Sequence, residues 1–240
     1  MINTFETALT LIKRIADSQS TAIEAAAALI GEAFIGDHKF FVTGSGHSHT
    51  VSEEFYARAG GLAFTVPILT DELTLTSHPA KSTYIERLEG YAPILGELYN
   101  ISAGDVVLIA SNSGRNAYPV EMALYAKDKG AKVIAITNLT HSKSVDSRHS
   151  SGKKLMDLAD VIIDNCGELG DAAIKVEGID AKMYPTSSIA NSVICGAISV
   201  GIAEYLVAKG VEVPVLISAN VDGNDHSSDE SKRKYMRLYY

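Results

Sequence analysis

The sequence predicts an α/β fold, a three-layer α/β/α sandwich around a five-stranded parallel sheet. Three observations predict it. Short apolar runs alternate along the chain with segments of helical periodicity. The runs are apolar on both faces, which is typical of strands buried in a parallel sheet. No internal repeat and no Pro- or Ser-rich linker divides the chain, so one sandwich is the economical arrangement.

The predicted elements follow one another in an order that suits this architecture. Residues 2–35 are predicted to form two helices, with Ser20 or Thr21 capping the second and Gly36 ending it. The remaining elements are strand 39–43, turn 44–48, helix 50–59, strand 62–66, loop 67–81, helix 82–99, strand 106–110, helix 117–129, strand 133–137, loop 138–153, strand 160–164, irregular segment 165–184 and helix 189–208. We therefore expect a single domain over residues 1–210 and a C-terminal tail over 211–240, polar from about residue 218.

Composition limits the function classes. The formal net charge is −8 and the sequence pI is about 5.4, which argues against nonspecific nucleic-acid binding. No run of about twenty apolar residues predicts a membrane span, and the N-terminus has helical periodicity rather than a signal pattern. Cys166 and Cys195 are expected to be free thiols. These features favour a cytoplasmic protein without nucleic-acid or membrane partners.

A hydroxyl-rich turn follows the apolar run 106–110. Ser111, Asn112, Ser113 and Gly114 come directly before the helix of residues 117–129. Such a turn binds phosphate because backbone N–H groups and the positive end of the helix dipole converge there. No P-loop lysine is present, so a nucleoside triphosphate is the less natural ligand.

The predicted strand order places a second turn beside the first. In a flavodoxin-like order, 2-1-3-4-5, the first and third strands are neighbours at a topological switch point. The turn 44–48, Gly-Ser-Gly-His-Ser, and the turn 111–116 would then share one crevice. The sequence therefore predicts an anion cradle built from two loops that are far apart in the chain.

These segments resemble the sugar isomerase (SIS) domain family. The resemblance is carried by FFVTGSGHSH at 40–49, VVLIASNSGRN at 106–116 and KGAKVIAITN at 129–138, and continues through LADVIID and PTSSIANSVICGAI over about residues 1–210. It implies a phosphosugar-binding domain with a five-stranded parallel sheet, in a homodimer or larger assembly such as a homotetramer. Dinucleotide binding is disfavoured because Gly44-x-Gly46 lacks a third glycine and no acidic residue ends the second strand.

The resemblance also implies roles for individual residues. The phosphate would be held by the side chains of Ser45, Ser111, Ser113 and Asn116 and by backbone groups of Gly46 and Asn112, with Ser48 nearby and Thr186 and Ser188 facing the sugar. Arg115 would add positive charge. The alternative interpretation is that these residues serve only turn formation and helix capping.

Isomerisation also needs an acid and a base. The candidate bases are Glu54 and Glu53, and the candidate acids are His78 and His47. The alternative is that both glutamates lie on a solvated helix face. Phosphoheptose isomerases of this family carry an acid where this chain has Arg58, and a histidine in the final helix, where residues 189–208 contain none. The catalytic pair therefore does not transfer.

The predicted activity is a sugar-phosphate isomerase working through an enediolate, or an allied lyase or deaminase of an amino-sugar phosphate. The alternative is a noncatalytic phosphosugar sensor; a flavodoxin-like nucleotide-binding module is weaker. No redox cofactor is expected, and the spacing of His47, His49 and the glutamates matches no compact metal signature. The tail is expected to be solvated and unpaired. The alternative is that it docks on a neighbouring subunit through Tyr235, Leu238 and Tyr239, with Asp225 or His226 closing a partner's site.

Overall fold

The computed structural model describes residues 2–76, 78 and 80–236. Its main sheet has five parallel strands in the order β2-β1-β3-β4-β5, as predicted. The strands are β1 (Phe40–Gly44), β2 (Thr65–Ile68), β3 (Val106–Ala110), β4 (Lys132–Thr137) and β5 (Val161–Asp164). A separate antiparallel hairpin pairs β6 (Ala172–Lys175) with β7 (Lys182–Pro185).

Helices cover both faces of the main sheet. They are α1 (Ile2–Ile35), α2 (Thr50–Phe55), α3 (Lys81–Ile85), α4 (Tyr91–Leu98), α5 (Ala117–Asp128), α6 (Leu139–Lys143), α7 (Ser187–Ala208) and α8 (Asp229–Tyr235). Strand alternation divides the core: Phe40 and Leu108 pack toward α1 and α7, whereas Phe41 and Val107 pack toward α4 and α5. The three-layer prediction is confirmed.

The prediction of two N-terminal helices is wrong, because α1 is continuous through residue 20. The Ser20 hydroxyl donates to the carbonyl of Ala16 at 2.6 Å, within the helix, instead of capping a new one. A serine that bonds back to the i−4 carbonyl is tolerated in a helix interior. The sequence between the two proposed helices contains no glycine or proline that would break them.

The helix predicted over residues 82–99 is instead two helices, α3 and α4. Gly90 lies between them with φ +91°, which is a conformation that only glycine adopts readily. Its N–H donates to both oxygens of the buried Glu121 carboxylate, at 2.8 and 2.9 Å. The break directs the residues at the end of α3 toward the sheet edge.

The second strand begins three residues later than predicted, at Thr65. The apolar run at Leu62 pairs with Val215 in an isolated bridge, and the Ala63 N–H donates to the carbonyl of Pro214 at 2.9 Å. The helix predicted over 50–59 ends at Phe55, before Ala57 at φ +54°. Leu62 and Ala63, which the sequence pattern predicted to lie in β2, therefore pair with the C-terminal segment instead.

Three segments predicted without regular structure contain some. Residues 165–184 include most of the hairpin, 138–153 include α6, capped by the Asn138 side chain, and the tail includes α8. Tyr235 lies against Phe34 of its own chain, with ring centroids 5.7 Å apart. Leu238 and Tyr239 lie outside the described residues.

Helix α7 is long and apolar enough to span a membrane by those two criteria alone, although no such span was predicted. One of its faces is buried against α1, as in the core helix of a soluble fold, so this is weak evidence for a membrane. Cys195 lies in the buried face and Cys166 is half-buried, and both are free thiols, as predicted. Burial raises the pKa of both thiols.

Candidate functional site at the ends of β1 and β3

The two hydroxyl-rich turns leave the same edge of the sheet. Gly44, the last residue of β1, lies in register with Ala110, the last residue of β3. The chain then folds into a 3-10 turn over Gly46–His49. A side chain at Gly44 would collide with the carbonyl of Ser48, so glycine is required for this close approach.

A glutamate joins the two turns. Ser45 Oγ donates to Glu86 Oε2 at 2.7 Å, and Asn116 Nδ2 donates to Glu86 Oε1 at 2.8 Å. Glu86 follows α3, and its carbonyl accepts the Tyr118 N–H of α5 at 2.9 Å. Residues from the first turn, the second turn and the segment after β2 thus meet at one carboxyl group.

Burial is the main influence on this carboxyl group. Desolvation raises the pKa of Glu86 above its ordinary value, although the hydrogen bond from Ser45 and the charges of Arg87 and Arg148 oppose that shift. Sequence reasoning missed Glu86 because it lay inside a predicted continuous helix. The only local signal was Gly90, four residues later, which ends that helix prematurely.

The second turn is fastened to the neighbouring strands. Ser111 Oγ accepts the Gly114 N–H at 3.2 Å, where Gly114 has φ +58°. The Asn112 carbonyl accepts the Asn138 N–H at 3.1 Å, and Asn112 Oδ1 accepts a hydrogen bond from Asn165 Nδ2 at 2.7 Å. These bonds fix the backbone at the start of α5.

The Ser113 side chain differs from the others in this turn. It is half-buried, and its hydroxyl has no hydrogen-bond partner within the described part of the chain. Asn116 occupies the cap position of α5, yet its side chain bonds to Glu86 rather than to the first helical turn. Neither side chain therefore serves only the capping role that the alternative interpretation assigned to it.

The other predicted binding residues have different surroundings. The Gly46 N–H already donates to the Leu73 carbonyl at 2.8 Å. The buried Thr186 hydroxyl donates to the Asp171 carbonyl at 2.9 Å and accepts the Glu168 N–H. Ser48 is half-buried in the 3-10 turn and Ser188 is exposed on the first turn of α7. Gly46 and Thr186 thus have partners within the protein.

Of the four predicted catalytic residues, His47 lies in the first turn, and the other three lie outside both turns. Glu54 forms an ion pair with Arg58 and accepts a hydrogen bond from Ser192 of α7 at 3.2 Å. Glu53 is exposed and lies 3.4 Å from the imidazole of His49. His47 and His78 are exposed. Among the described residues, none of the four hydrogen-bonds to Glu86 or to the side chains of either turn.

One group of side chains has the composition of a metal site. Glu89, Glu121 and His149 each offer a ligand atom, and these atoms lie within 4.8 Å of one another. His149 Nδ1 accepts the Ser151 N–H at 3.2 Å, and its Nε2 lies 3.6 Å from Glu121 Oε1. The histidine therefore contacts both a loop backbone and a carboxylate.

Comparisons with known proteins agree with this architecture. A UPF0309 protein of Halalkalibacterium halodurans is 43% identical over 227 residues, which cover 95% of this chain and 94% of that protein. The structure of a phosphoheptose isomerase from Neisseria gonorrhoeae matches with a TM-score of 0.57 at 17% identity, covering 85% of this chain and 95% of that one.

A phosphoheptose isomerase from Francisella tularensis matches with a TM-score of 0.53 at 19% identity, covering 85% and 96% of the two chains. At these identities the solved structures show a shared fold. The SIS domain profile matches residues 5–138, a segment that contains β1 to β4 and both turns. The chain belongs to the SIS domain family.

Proposed function

We propose that this protein is a cytoplasmic phosphosugar-processing enzyme, and most concretely a sugar-phosphate isomerase. Membership of the SIS domain family supports binding of a phosphosugar. The observation that carries the enzymatic part is the Glu86 carboxyl group, which is held by one side chain from each turn. The competing interpretation of the same fold is a sensor that binds without catalysis.

The phosphoryl group would bind at the start of α5. There Ser111 and Ser113 supply hydroxyl groups, and the helix N-terminus supplies a positive potential. The Ser113 hydroxyl is the strongest candidate donor because no described residue occupies it. In this proposal the phosphoryl group is bordered by Ser45, Ser48, Asn112 and Asn116. The sugar would lie nearer to Thr186 and Ser188.

Aldose–ketose isomerisation would then use a carboxylate as base. It removes the proton from the carbon beside the carbonyl, leaving an enediolate, and returns that proton to the neighbouring carbon. A second group moves a proton between the two oxygens, and His47 or His78 is proposed for this step. Burial raises the pKa of Glu86, which makes its carboxylate a stronger base than that of an exposed glutamate.

Two carboxylates are therefore proposed as the base. Glu86 lies between the turns, and Glu54 lies on α2 beside Arg58 and Ser192. Glu53 is the third candidate, but it is exposed beside His49. The location of Glu86 at the switch point of the sheet favours Glu86, since ligands of open α/β sheets bind in that crevice.

The test is solvent deuterium incorporation into a panel of hexose, heptose and amino-sugar phosphates, followed by NMR. We expect incorporation at the carbon beside the carbonyl with the wild-type protein. Glu86→Gln should abolish incorporation while phosphosugars still raise the melting temperature, and Glu54→Gln is the matched comparison. Full incorporation by Glu86→Gln and none by Glu54→Gln would transfer the role to Glu54.

The sensor is favoured by one specific observation. The chain lacks the acid and the histidine expected from phosphoheptose isomerases, because Arg58 stands where they carry the acid and residues 189–208 contain no histidine. Tight phosphosugar binding without deuterium incorporation in any member of the panel would establish the sensor and exclude the isomerase.

Association into a homodimer or homotetramer is part of the proposal. Val200 and Val207 are 60% and 66% exposed on the α7 face that points away from α1. Exposed apolar side chains on one helix face are typical of subunit contacts. Light scattering of the purified chain tests this, and a monomer at micromolar concentration would refute it.

A further inference from the structure

Three arginines surround the contact between Glu86 and Asn116. Arg87 follows Glu86 directly in the chain. Arg148 Nη1 donates to Asn116 Oδ1 at 3.0 Å, and the Arg148 N–H donates to the carbonyl of Arg115 at 2.8 Å. The three cations come from three different segments, so only the tertiary structure brings them together.

The Glu86 carboxyl group offsets the charge of this cluster only in part, through its charge interaction with Arg87 and Arg148. Within residues 2–76, 78 and 80–236, none of the three arginines forms an ion pair within 4 Å of an acidic side chain. Partial desolvation and the neighbouring guanidinium groups of Arg115 and Arg87 lower the pKa of Arg148. Such a concentration of positive charge in a chain of net charge −8 favours an anionic ligand.

A buried hydrogen-bond donor also favours an anionic ligand here. Arg115 Nε is shielded from solvent and has no hydrogen-bond partner in the described structure. Leaving a buried donor unpaired costs its desolvation energy, so such groups are uncommon in folded proteins. An anion placed beside Arg115 would satisfy it.

The loop that carries Arg148 is fixed in position. Ser150 donates to Glu89 through its N–H at 2.7 Å and through its hydroxyl at 2.8 Å. His149 lies against the buried Glu121. The guanidinium group is therefore supported by a loop with its own anchors, and its position does not depend on Asn116 alone.

Arg148 also lies apart from Ser45, one of the donors proposed for the phosphoryl group. Hydrogen bonds run from Ser45 to Glu86, from Asn116 to Glu86 and from Arg148 to Asn116, so Asn116 and Glu86 separate Arg148 from Ser45. The hydroxyl groups at Ser111 and Ser113 and the N-terminus of α5 already provide a phosphate site. The cations beyond Asn116 are then available to a different group of the same ligand.

We propose that Arg87, Arg115 and Arg148 form a second anion subsite, and that the ligand is a phosphosugar with a second acidic group. That group is a carboxylate or a second phosphoryl group, since guanidinium binds both through paired hydrogen bonds. The inference rests on the proposed function, because it assigns a substrate class to the same crevice.

The experiment is calorimetric titration of the full chain with glucose 6-phosphate, 6-phosphogluconate, fructose 1,6-bisphosphate and gluconate. We expect the two doubly acidic ligands to bind about tenfold more tightly than glucose 6-phosphate. A stronger preference for 6-phosphogluconate identifies the carboxylate, and one for the bisphosphate identifies the second phosphoryl group. Gluconate alone should bind weakly because it lacks the phosphoryl group.

Arg148→Gln should remove most of that preference and leave the affinity for glucose 6-phosphate within about threefold of wild type. Lys153→Gln is the matched control, since it removes the same charge from the same exposed loop. Arg87→Gln provides a second test of the subsite if Arg148→Gln unfolds, which circular dichroism would report.

Two results would overturn the inference alone. In one, the wild-type protein binds glucose 6-phosphate and the doubly acidic ligands equally. In the other, Arg148→Gln weakens all of them by one factor, which would make the arginines part of the phosphate site. If no phosphorylated ligand binds to the wild-type protein, the proposed function fails together with the subsite.

Discussion

A buried carboxylate and a half-buried one lie at opposite edges of the main sheet, and their hydrogen-bond partners differ. Asp105 lies just before β3, at the amino edge, and its oxygens accept the N–H groups of Lys39 and Ser102, both at 2.8 Å. Glu86 lies at the carboxyl edge and accepts hydrogen bonds from the side chains of Ser45 and Asn116. Asp105 holds two backbone N–H groups, with a further bond from the Ser102 hydroxyl at 3.0 Å, whereas Glu86 joins side chains of two turns.

A second amino-edge carboxylate behaves like the first. Asp160 accepts the Val133 N–H at 2.9 Å and lies near the ammonium groups of Lys127 and Lys132. Burial acts to raise its pKa, but the backbone bond and the two cations outweigh burial, and the net pKa is lowered. Contacts with a backbone N–H and two lysines thus favour the ionised form of Asp160 at the amino edge, whereas burial raises the pKa of Glu86 at the carboxyl edge.

The largest expected effect is on stability at the amino edge. Asp105→Asn replaces one acceptor oxygen by an NH₂ group that faces a backbone donor, and should lower the free energy of unfolding by about 2–4 kcal/mol. Urea unfolding measures this change. Asp146→Asn, on an exposed loop, is the control and should change stability by less than about 0.5 kcal/mol. If Asp105→Asn lowers the free energy of unfolding by less than about 1 kcal/mol, the amino-edge carboxylate does not have the stabilising role assigned to it here.

The next effect is on binding at the carboxyl edge. Ser113→Ala should weaken binding of glucose 6-phosphate by about 1–3 kcal/mol, because a hydrogen bond to a charged group is lost. Calorimetry measures it, and the stability of the fold should be nearly unchanged since the hydroxyl has no described partner. Ser144→Ala is the control, as that hydroxyl bonds locally to His141. Equal affinities of Ser113→Ala and wild type would move the phosphate site elsewhere.

The third prediction concerns pH. The folded-state pKa of Glu86 is raised, so its protonation stabilises the fold fully below the unfolded pKa, and this contribution is lost as pH rises through the folded pKa. Glu86→Gln should remove that dependence and change stability near pH 7 by no more than about 1 kcal/mol, because the amide oxygen can accept from Asn116 and the NH₂ group can donate to the Ser45 hydroxyl in the reversed direction.

Asp160→Asn tests a pH dependence of the free energy of unfolding that has the opposite sign. Its folded-state pKa is lowered, so the charged carboxylate stabilises the fold above the unfolded pKa, and that contribution is lost as pH falls through the folded pKa. Urea unfolding of the wild type and both variants between pH 3 and pH 7 separates the two pH dependences. This range lies on both sides of the ordinary carboxyl pKa of about 4. Slopes of the same sign at Glu86 and Asp160 would refute the comparison.

The smallest effect is expected for an exposed ion pair. Lys132→Gln removes an ammonium group that lies 3.4 Å from Asp160 and is half-exposed. The free energy of unfolding should fall by no more than about 0.5 kcal/mol, and the difference should vanish at high salt because surface charges are screened. A loss above about 1 kcal/mol would mean that the cations, rather than the Val133 N–H, dominate at Asp160.

The sequence by itself determined the sheet and its two turns. Apolar runs such as 106–110 bury both faces and require helices on both sides, and helical connections between parallel strands restrict the order in which they pair. The residues at the ends of those runs, Ser45 and Ser111 to Asn116, are likewise local features. A turn that follows a strand and precedes a helix can be read without knowing its neighbours.

Only the tertiary structure decided which charges meet at those turns. Glu86 and Arg148 come from a broken helix and from a loop, and neither segment has a periodicity that fixes its direction. Leu62 shows the same limit at the sheet, since its apolar run pairs with Val215 rather than with β1. Hydrogen bonds and charge contacts between distant segments depend on the three-dimensional path of the chain, whereas strand burial and turn chemistry depend on neighbouring residues.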